Sequence, residues 1–244
     1  MTVYHARRGQ VSYGYPIGML CAEWHIPFIP GDLNHASTFD FPVRYLTVPE
    51  VSGASVLTGT GHFAEALIRA AKQLQSEGVR AITSNCGFMA RYQRAVAEHV
   101  DIPVFLSSLL QIPMITSMLG SGKSVGILAA NSAALTPDLL ESVGITDARR
   151  LVVHGLEQYE HFNEVVLQET GILDDQRLTA EVVAAALEIR RTTPDLGAYL
   201  LECSDLPVYS DAIYRATGLP VYDWAGFIDY VHRSISPRTY TGIY

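Results

Sequence analysis

The sequence contains very little lysine and has no excess of positive charge, and these absences narrow its possible functions. Among the 244 residues, lysine stands only at Lys72 and Lys123, and the formal net charge is −8. A nucleic-acid partner is not expected, because binding phosphates requires a basic face. Pyridoxal phosphate is not expected either, because that cofactor needs a Schiff-base lysine and neither lysine has suitable surroundings. We therefore predict that the protein uses no cofactor.

Long apolar runs and paired cysteines are also missing. No run approaches the ~20 apolar residues of a membrane span, and the polar N-terminus, MTVYHARRGQ, lacks the core of a signal peptide. We expect a cytoplasmic protein that has no membrane partner. The three cysteines, Cys21, Cys86 and Cys203, form no CxxC pair, so neither a disulfide framework nor a zinc site is indicated. No metal site is predicted.

Short runs rich in valine, isoleucine and leucine alternate with longer helical patterns along the chain. This alternation is typical of a parallel sheet built from βαβ units, so the predicted fold class is α/β. The predicted strands cover residues 15–21, 44–48, 81–85, 104–108, 124–130, 151–154, 198–203 and 221–224. Apolar residues at helical spacing predict helices over 61–77 and 181–191, and a closing helix near 225–234.

An internal repeat is the most informative feature of the sequence. The segment VRAITSNCGFMARYQRAVAEHVDIPVF aligns with LGAYLLECSDLPVYSDAIYRATGLPVY, and each cysteine precedes a Pro-Val pair by the same number of residues. Tyr92 and Tyr209 also occupy equivalent positions. We therefore predict two pseudo-symmetric, doubly wound parallel-sheet halves, residues 1–115 and 116–225, with a closing helix and tail over 226–244. The active site is expected in the cleft between them, where the long loop over 22–42 would act as a cover.

Both repeated cysteines fall at the carboxyl end of a predicted strand and directly before a predicted helix. Open α/β sheets bind their ligands at that end, and a helix N-terminus lowers the pKa of a thiol. We therefore interpret Cys86 and Cys203 as a reactive pair. Cys21 ends the first strand, but its counterpart near Ala129 is not a cysteine, so Cys21 is assigned to packing.

Two matched thiols on opposite sides of a substrate suit the inversion of a carbon centre. One removes a proton from one face and the other delivers a proton to the opposite face. The carbanion formed next to a carboxylate needs hydrogen-bond donors at its oxygens. Candidate substrate-binding residues are those that flank the cysteines, together with an arginine next to the loop: Ser84, Asn85, Gly87, Phe88, Ser204, Asp205 and Arg44.

The segments TSNCGFMA, LLECSDLPVYS and VGILAANSAAL resemble the aspartate/glutamate/hydantoin racemase superfamily over nearly the whole chain. The resemblance implies two α/β halves that each present a catalytic cysteine, here Cys86 and Cys203, and no pyridoxal phosphate. It also implies that Asn85 and Ser204 help to hold a carboxylate. Many members follow the first cysteine with Asn-Thr and the second with Thr-His, whereas Gly-Phe and Ser-Asp stand here.

These observations predict an isomerase, a cofactor-independent racemase or epimerase that acts on a small carboxylate such as an acidic amino acid. Hydantoin racemisation, cis–trans isomerisation of an unsaturated diacid and decarboxylation of a malonate stay open on the same scaffold. A non-catalytic binding protein, or a redox protein that joins Cys86 to Cys203, is the alternative from another class. An assembly of identical subunits is also left open.

Overall fold

The computed structural model describes residues 3–58 and 61–243. Met1, Thr2 and Tyr244, which belong to the N-terminal stretch and to the predicted tail, lie outside the described residues. Eight strands are described, and each of the eight predicted strands overlaps one of them. They are β1 (Ile17–Glu23), β2 (Val43–Ser52), β3 (Ala81–Ser84), β4 (Val104–Phe105), β5 (Ser124–Ala129), β6 (Leu151–Gly155), β7 (Leu196–Leu201) and β8 (Val221–Tyr222).

Helices connect the strands and cover the sheets. Each of the predicted helices, over 61–77, 181–191 and 225–234, overlaps an α-helix in the described part of the chain. The α-helices are α1 (Gly53–Thr58), α2 (Ala64–Ser76), α3 (Gln93–Ala97), α4 (Ile112–Met118), α5 (Pro137–Ser142), α6 (Glu160–Phe162), α7 (Asp175–Thr192), α8 (Ser210–Thr217) and α9 (Trp224–Ile235). Short 3-10 helices and one π-helix, Asn163–Leu167, lie between them.

The two sheets have the same topology, which confirms two pseudo-symmetric halves. The first has the strand order β2-β1-β3-β4 and the second β6-β5-β7-β8, and all pairs are parallel. Leu20 pairs with Ser84 in the first sheet, and Leu128 pairs with Leu201 in the second. The two cysteines therefore follow equivalent strands. Helix α4 spans position 115, and the exact division between the halves stays a prediction.

Strand β1 shows how the sheet is buried on both faces. Its alternate residues Ile17, Met19 and Cys21 pack with Trp224 and other apolar side chains of a cluster that includes α9. Residues of the opposite parity join the main core with α2, because successive side chains of a strand point to opposite faces. Cys21 therefore lies in a different cluster from the other two cysteines.

The loop over residues 24–42, called here the cleft loop, joins β1 to β2 within the first half and forms hydrogen bonds with the second half. The indole Nε1 of Trp24 donates to the carbonyl of Val166 at 2.9 Å. The amide of Leu33 donates to the carbonyl of Ser204 at 3.3 Å. These bonds hold the loop across the carboxyl ends of the strands, where the sequence predicted a cover. Among the described residues, no helix is both long and apolar enough to cross a membrane.

Candidate active site

The two cysteines occupy matching turns at the carboxyl ends of β3 and β7. Cys86 and Cys203 each stand two residues after their strand ends. Short 3-10 helices, Gly87–Tyr92 and Leu206–Tyr209, follow them, and the α-helices begin only at Gln93 and Ser210. A helix thus begins directly after Cys86, as predicted, although it starts as a 3-10 turn. After Cys203 the first helical turn begins only at Leu206.

Both thiols line a single cavity between the two halves. Cys86 is 7% exposed and Cys203 is 8% exposed. About 350 Å³ of space lies between its walls, counted together with its opening to solvent. Its walls come from both cysteine turns, the cleft loop and the second sheet: Trp24, Phe28, Asn34, Asn85, Cys86, Gly87, Ala130, Val166, Glu202, Cys203, Ser204 and Asp205.

Some of the predicted binding residues face this cavity and others support it from behind. Asn85, Gly87, Ser204 and Asp205 line it, although the side-chain amide of Asn85 is already bonded to the backbone N–H and carbonyl of Ala22. Ser84 and Phe88 lie outside the lining. The hydroxyl of Ser84 donates to the carbonyl of Leu106 at 2.8 Å, and Phe88 is a buried core residue whose backbone amide faces the sulfur of Cys86.

Arg44 does not reach the cavity, and the prediction that it binds substrate is wrong. Its Nε donates to Oε2 of Glu77 at 2.7 Å, and its Nη1 donates to the carbonyl of Tyr45 at 2.8 Å. Arg44 pairs with Gly18 near the beginning of β1, so it lies toward the amino ends of the strands. The thiols of Cys86 and Cys203 lie at the opposite ends.

The surroundings of the two thiols raise their pKa values, whereas the sequence predicted that helix N-termini would lower them. Burial raises the pKa of Cys86, and the nearby carboxyl of Glu202 raises it further. Burial and the carboxyls of Asp205 and Glu202 likewise raise the pKa of Cys203 well above its ordinary value. Backbone amides two residues after each cysteine oppose these shifts. The prediction of a lowered thiol pKa is wrong, because desolvation and negative charge outweigh the amides.

Glu202 is the principal residue that the sequence interpretation missed. Its side chain is fully buried and lines the cavity, and burial raises its pKa to about 8. Oε2 accepts a hydrogen bond from the amide of Ala130 at 3.4 Å, whereas Oε1 has no partner among the described residues. A glutamate that ends an otherwise apolar strand, YLLECSD, was the signal that could have identified it.

A second acidic feature links the cleft loop to the Cys203 turn. Asp32, which is 2% exposed, shares a hydrogen bond with Asp205, and burial together with the negative charge of Asp205 raises the pKa of Asp32 to about 10. Burial also raises the pKa of Asp205, although hydrogen bonds from Asp32, Cys203 and Ser204 oppose this shift. Two carboxyls that share a hydrogen bond need one proton between them, and the stronger negative surroundings of Asp32 favour its neutral form. This bond fixes the loop next to Cys203.

The cavity lining combines carboxyls with aromatic rings and includes no Lys, Arg or His among the described residues. Trp24 and Phe28 supply the aromatic surface from the cleft loop. Trp24 is held firmly, because its indole N–H is bonded to Val166 and its ring lies so close to Gly53 that a methyl group there would overlap it. Such a lining favours a ligand that has a positively charged, apolar end.

The polar residues of the cleft loop do not assemble into a metal site. His25 faces Glu23 and Glu169, and the ring nitrogen Nδ1 of His35 lies 2.9 Å from the hydroxyl of Ser37. In the described part of the chain, no three His, Cys, Asp or Glu side chains are arranged to hold a metal ion.

Curated relatives identify the family. The chain is 32% identical over 214 residues to a dimethylsulfoniopropionate lyase of Durusdinium sp. clade D, an alignment that covers 85% of this chain and 70% of that protein. The chain belongs to the dimethylsulfoniopropionate lyase family. Dimethylsulfoniopropionate lyase 5 of Emiliania huxleyi is 29% identical over 241 residues, covering 93% of this chain and 47% of that protein. Dimethylsulfoniopropionate lyase 7 of the same organism is 31% identical, and the alignment covers 86% of this chain and 64% of that protein.

The chain therefore spans between about half and 70% of the length of these relatives. A search against models of known protein families finds no match.

Solved structures show that the fold is the one the sequence resembles. Unliganded arylmalonate decarboxylase aligns with a TM-score of 0.57 at 20% identity, covering 91% of this chain and 93% of that one. The aspartate racemase of Picrophilus torridus aligns with a TM-score of 0.58 at 16% identity, covering 93% of this chain and 96% of that one. The allantoin racemase of Pseudomonas fluorescens gives 0.58 at 17% identity. The resemblance to the aspartate/glutamate/hydantoin racemase superfamily is thus confirmed in the fold.

The predicted reaction class is corrected by the same comparisons. The curated relatives are named lyases, so the prediction of a racemase or epimerase, and with it of an isomerase, is wrong. The prediction of an enzyme is supported. Among the alternatives drawn from the sequence, decarboxylation comes nearer to this finding, because it also breaks a bond to carbon by elimination of a small molecule.

Proposed function

We propose that this chain cleaves dimethylsulfoniopropionate by β-elimination. A base removes a proton from the carbon next to the carboxylate, and the electron pair of that C–H bond forms the carbon–carbon double bond. The C–S bond breaks at the next carbon and its electron pair leaves with sulfur. The products are dimethyl sulfide, acrylate and one proton, so the reaction needs no oxidant, reductant or water.

The unequal surroundings of the two thiols carry this proposal. Sγ of Cys203 donates a hydrogen bond to Oδ2 of Asp205 at 3.3 Å, whereas the equivalent position beside Cys86 is the apolar Phe88. Cys203 can therefore pass its proton to a neighbouring carboxylate and become the base. An elimination requires a base on one face only, whereas a racemase requires a matched acid and base on two faces.

The charge distribution of the cavity suits a sulfonium substrate. Burial raises the pKa of Glu202 and of the Cys203 thiol, because desolvation disfavours the anions of both groups. A bound sulfonium would stabilise those anions and lower the pKa of Cys203. The bound substrate thus helps to generate the thiolate, which then removes the proton next to the substrate carboxylate. An acidic amino acid, which carries two carboxylates, would find no cationic side chain here.

The carboxylate of the substrate requires donors that do not carry charge. We assign this role to the side-chain amide of Asn34 and to the backbone amides of Gly87 and Ser204, whose residues line the cavity. Donors at the carboxylate oxygens stabilise the negative charge that develops when the neighbouring proton is removed. The hydroxyl of Ser204 already contacts Asp205 at 3.3 Å, so it holds the carboxyl that receives the proton of Cys203.

The direct test is product analysis with the purified chain and dimethylsulfoniopropionate. Dimethyl sulfide in the gas phase is measured by gas chromatography, and acrylate in solution is measured by proton NMR. We expect equal amounts of both products and no release by the Cys203→Ala variant. If the wild-type chain releases no dimethyl sulfide above the rate of the variant, the proposal is wrong.

A further inference from the structure

We propose that Glu202 and Trp24 form the binding site for a methylated onium group and that they determine the substrate class. The ligands would be small carboxylates that carry a sulfonium or quaternary ammonium centre. This inference rests on the proposed function, since it places the sulfonium end of that substrate. It goes further by assigning the recognition of positive charge to two residues outside the cysteine pair.

The unpartnered oxygen of Glu202 is the first observation. The side chain is fully buried, yet Oε1 has no hydrogen-bond partner among the described residues. Buried polar atoms are nearly always satisfied, and an exception calls for an explanation. Because Glu202 lines the cavity next to both thiols, a ligand in that cavity is the available partner.

Close packing around Glu202 keeps this oxygen from moving elsewhere. A methyl group built on Gly87 would overlap Oε1 and the carboxyl carbon of Glu202. On the other side, the amide of Ala130 donates to Oε2 at 3.4 Å. Glycine directly after the first cysteine thus allows the carboxyl of the second half to fit against the first half. The carboxyl is held in place before a ligand binds.

Trp24 supplies a second, independently fixed element of the same cavity wall. Its indole N–H is bonded to the carbonyl of Val166 at 2.9 Å, and its ring packs on Gly53. Since the polar atom of the indole is already satisfied, the part of the ring that lines the cavity offers only aromatic surface. Aromatic surface attracts cations, and the attraction is strongest where water is excluded.

A carboxylate combined with an aromatic ring suits an onium group better than it suits a primary ammonium. A methylated sulfonium or ammonium has no N–H or O–H, so it cannot use hydrogen-bond acceptors and is recognised by charge and by apolar contact. A primary ammonium needs up to three acceptors, and Oε1 of Glu202 provides one. The raised pKa of Glu202, about 8, is consistent with a carboxyl that ionises when the cation arrives. Binding should therefore release a proton.

The test uses two ligands of the same shape that differ in charge. The first is 3-(trimethylammonio)propionate, and the second is 4,4-dimethylpentanoate, in which a neutral carbon replaces the nitrogen. Isothermal titration calorimetry at pH 7 measures binding of both to the wild-type chain. We expect the onium compound to bind at least about tenfold more tightly. Titrations in two buffers of different ionisation enthalpy should show that a proton is released.

Three variants locate the source of this preference. Glu202→Gln keeps the shape of the side chain and should remove both the preference and the proton release. Trp24→Leu should reduce the preference several-fold without removing the proton release. Glu141→Gln, at an exposed site that does not line the cavity, is the matched control and should bind both ligands as the wild type does.

Equal affinity of the wild-type chain for the two ligands would overturn the inference, whether or not the variants fold. Binding of the onium compound without proton release would also overturn it, because Glu202 would then stay neutral in the complex. The dimethyl sulfide assay separates the two proposals. Release of dimethyl sulfide without an onium preference refutes this inference alone, whereas an onium preference without dimethyl sulfide refutes the lyase proposal alone.

Discussion

The two cysteine turns have equivalent backbone positions but different neighbours. The residue before the cysteine is Asn85 in the first half and Glu202 in the second, and the residue two positions after it is Phe88 or Asp205. The carboxyls beside the cavity thus come from the second turn, where Asp205 also shares a hydrogen bond with Asp32 of the cleft loop. The first turn contributes the thiol of Cys86, the glycine Gly87 and the side-chain amide of Asn85, which is hydrogen-bonded to the backbone of Ala22.

This contrast teaches that a repeated scaffold does not imply a repeated chemical role. The symmetry of the two halves places two sulfurs at one cavity, but the surroundings of each sulfur decide which one loses its proton. In this chain the thiol of Cys203 has an acceptor, Oδ2 of Asp205, at 3.3 Å, whereas the equivalent position beside Cys86 is Phe88. The site is therefore better suited to proton removal from one face than to inversion.

Replacing each cysteine by serine is the most severe way to test the comparison. We expect Cys203→Ser to lower kcat about 10³-fold, since a positioned general base contributes on the order of 10²–10⁴-fold. Cys86→Ser should lower kcat by about tenfold or less, as for loss of one neutral contact. Initial rates of dimethyl sulfide release measure both. Equal losses in the two variants would show that the turns are functionally equivalent.

Asp205→Asn tests whether the neighbouring carboxylate accepts the proton of Cys203. We expect kcat at neutral pH to fall about 10²-fold, because asparagine cannot take up that proton. Removing a negative charge would by itself lower the pKa of the thiol and raise the rate. The sign of the change in kcat at pH 7 therefore shows whether Asp205 accepts the proton or only raises the pKa of the thiol. A faster variant would refute the assigned role.

The positions directly after the cysteines should differ in their tolerance of a methyl group. Gly87→Ala should lower the free energy of unfolding by about 1–3 kcal/mol, because the new Cβ overlaps the carboxyl of Glu202. Ser204→Ala, at the equivalent position, should cost about 0.5–1.5 kcal/mol for one hydrogen bond to Asp205. Urea unfolding of both variants gives the values. A Gly87→Ala variant as stable as the wild type would mean that the halves are less tightly packed there.

The buried carboxyl of the second turn should make the stability of the protein depend on pH. Glu202 has a pKa of about 8 in the folded protein, above its ordinary value of 4.5, so the folded state retains a proton that the unfolded chain loses. The stabilisation is full below pH 4.5 and disappears as the pH rises to about 8. Glu202→Gln cannot ionise, so its stability relative to the wild type should increase over this window. Thermal unfolding at pH 5, 6.5 and 8 measures the difference.

An unchanged difference in unfolding temperature across these pH values would contradict the assigned pKa of Glu202. Asn85→Asp is the matched variant in the first half and introduces a carboxyl at the equivalent position. It should lose stability as the pH rises, because its side chain is 5% exposed and bonded to Ala22.

Strands and the cysteine pair could be predicted from the sequence because they depend on local pattern and repetition. Alternating apolar runs specify buried parallel strands, and equal spacing to the Pro-Val pairs placed Cys86 and Cys203 at equivalent strand ends. The partners of those thiols depend on long-range contacts. Trp24 reaches the cavity and Asp32 reaches Asp205 through a loop whose path is fixed by bonds to Ser204 and Val166. No periodicity encodes such a path.

The reaction class was mispredicted because a pair of cysteines was interpreted as a pair of equal bases. The unequal neighbours, Gly-Phe after Cys86 and Ser-Asp after Cys203, were visible in the sequence, but their effect on each thiol depends on burial and on facing carboxyls. Arg44 was mispredicted for a related reason. Its position in the sequence is close to the cleft loop, but parallel strands place the beginning of β2 at the opposite end of the sheet from the cysteines.

Removal of a proton from one face is the central claim, and a stereospecifically deuterated substrate tests it most directly. Dimethylsulfoniopropionate is prepared with deuterium at one or the other of the two enantiotopic positions next to the carboxylate, and the acrylate is analysed by mass spectrometry. A single base at Cys203 predicts that one substrate yields acrylate that retains all of its deuterium and the other yields acrylate that retains none. Partial loss of deuterium from both substrates would mean that both thiols remove protons and would contradict the account.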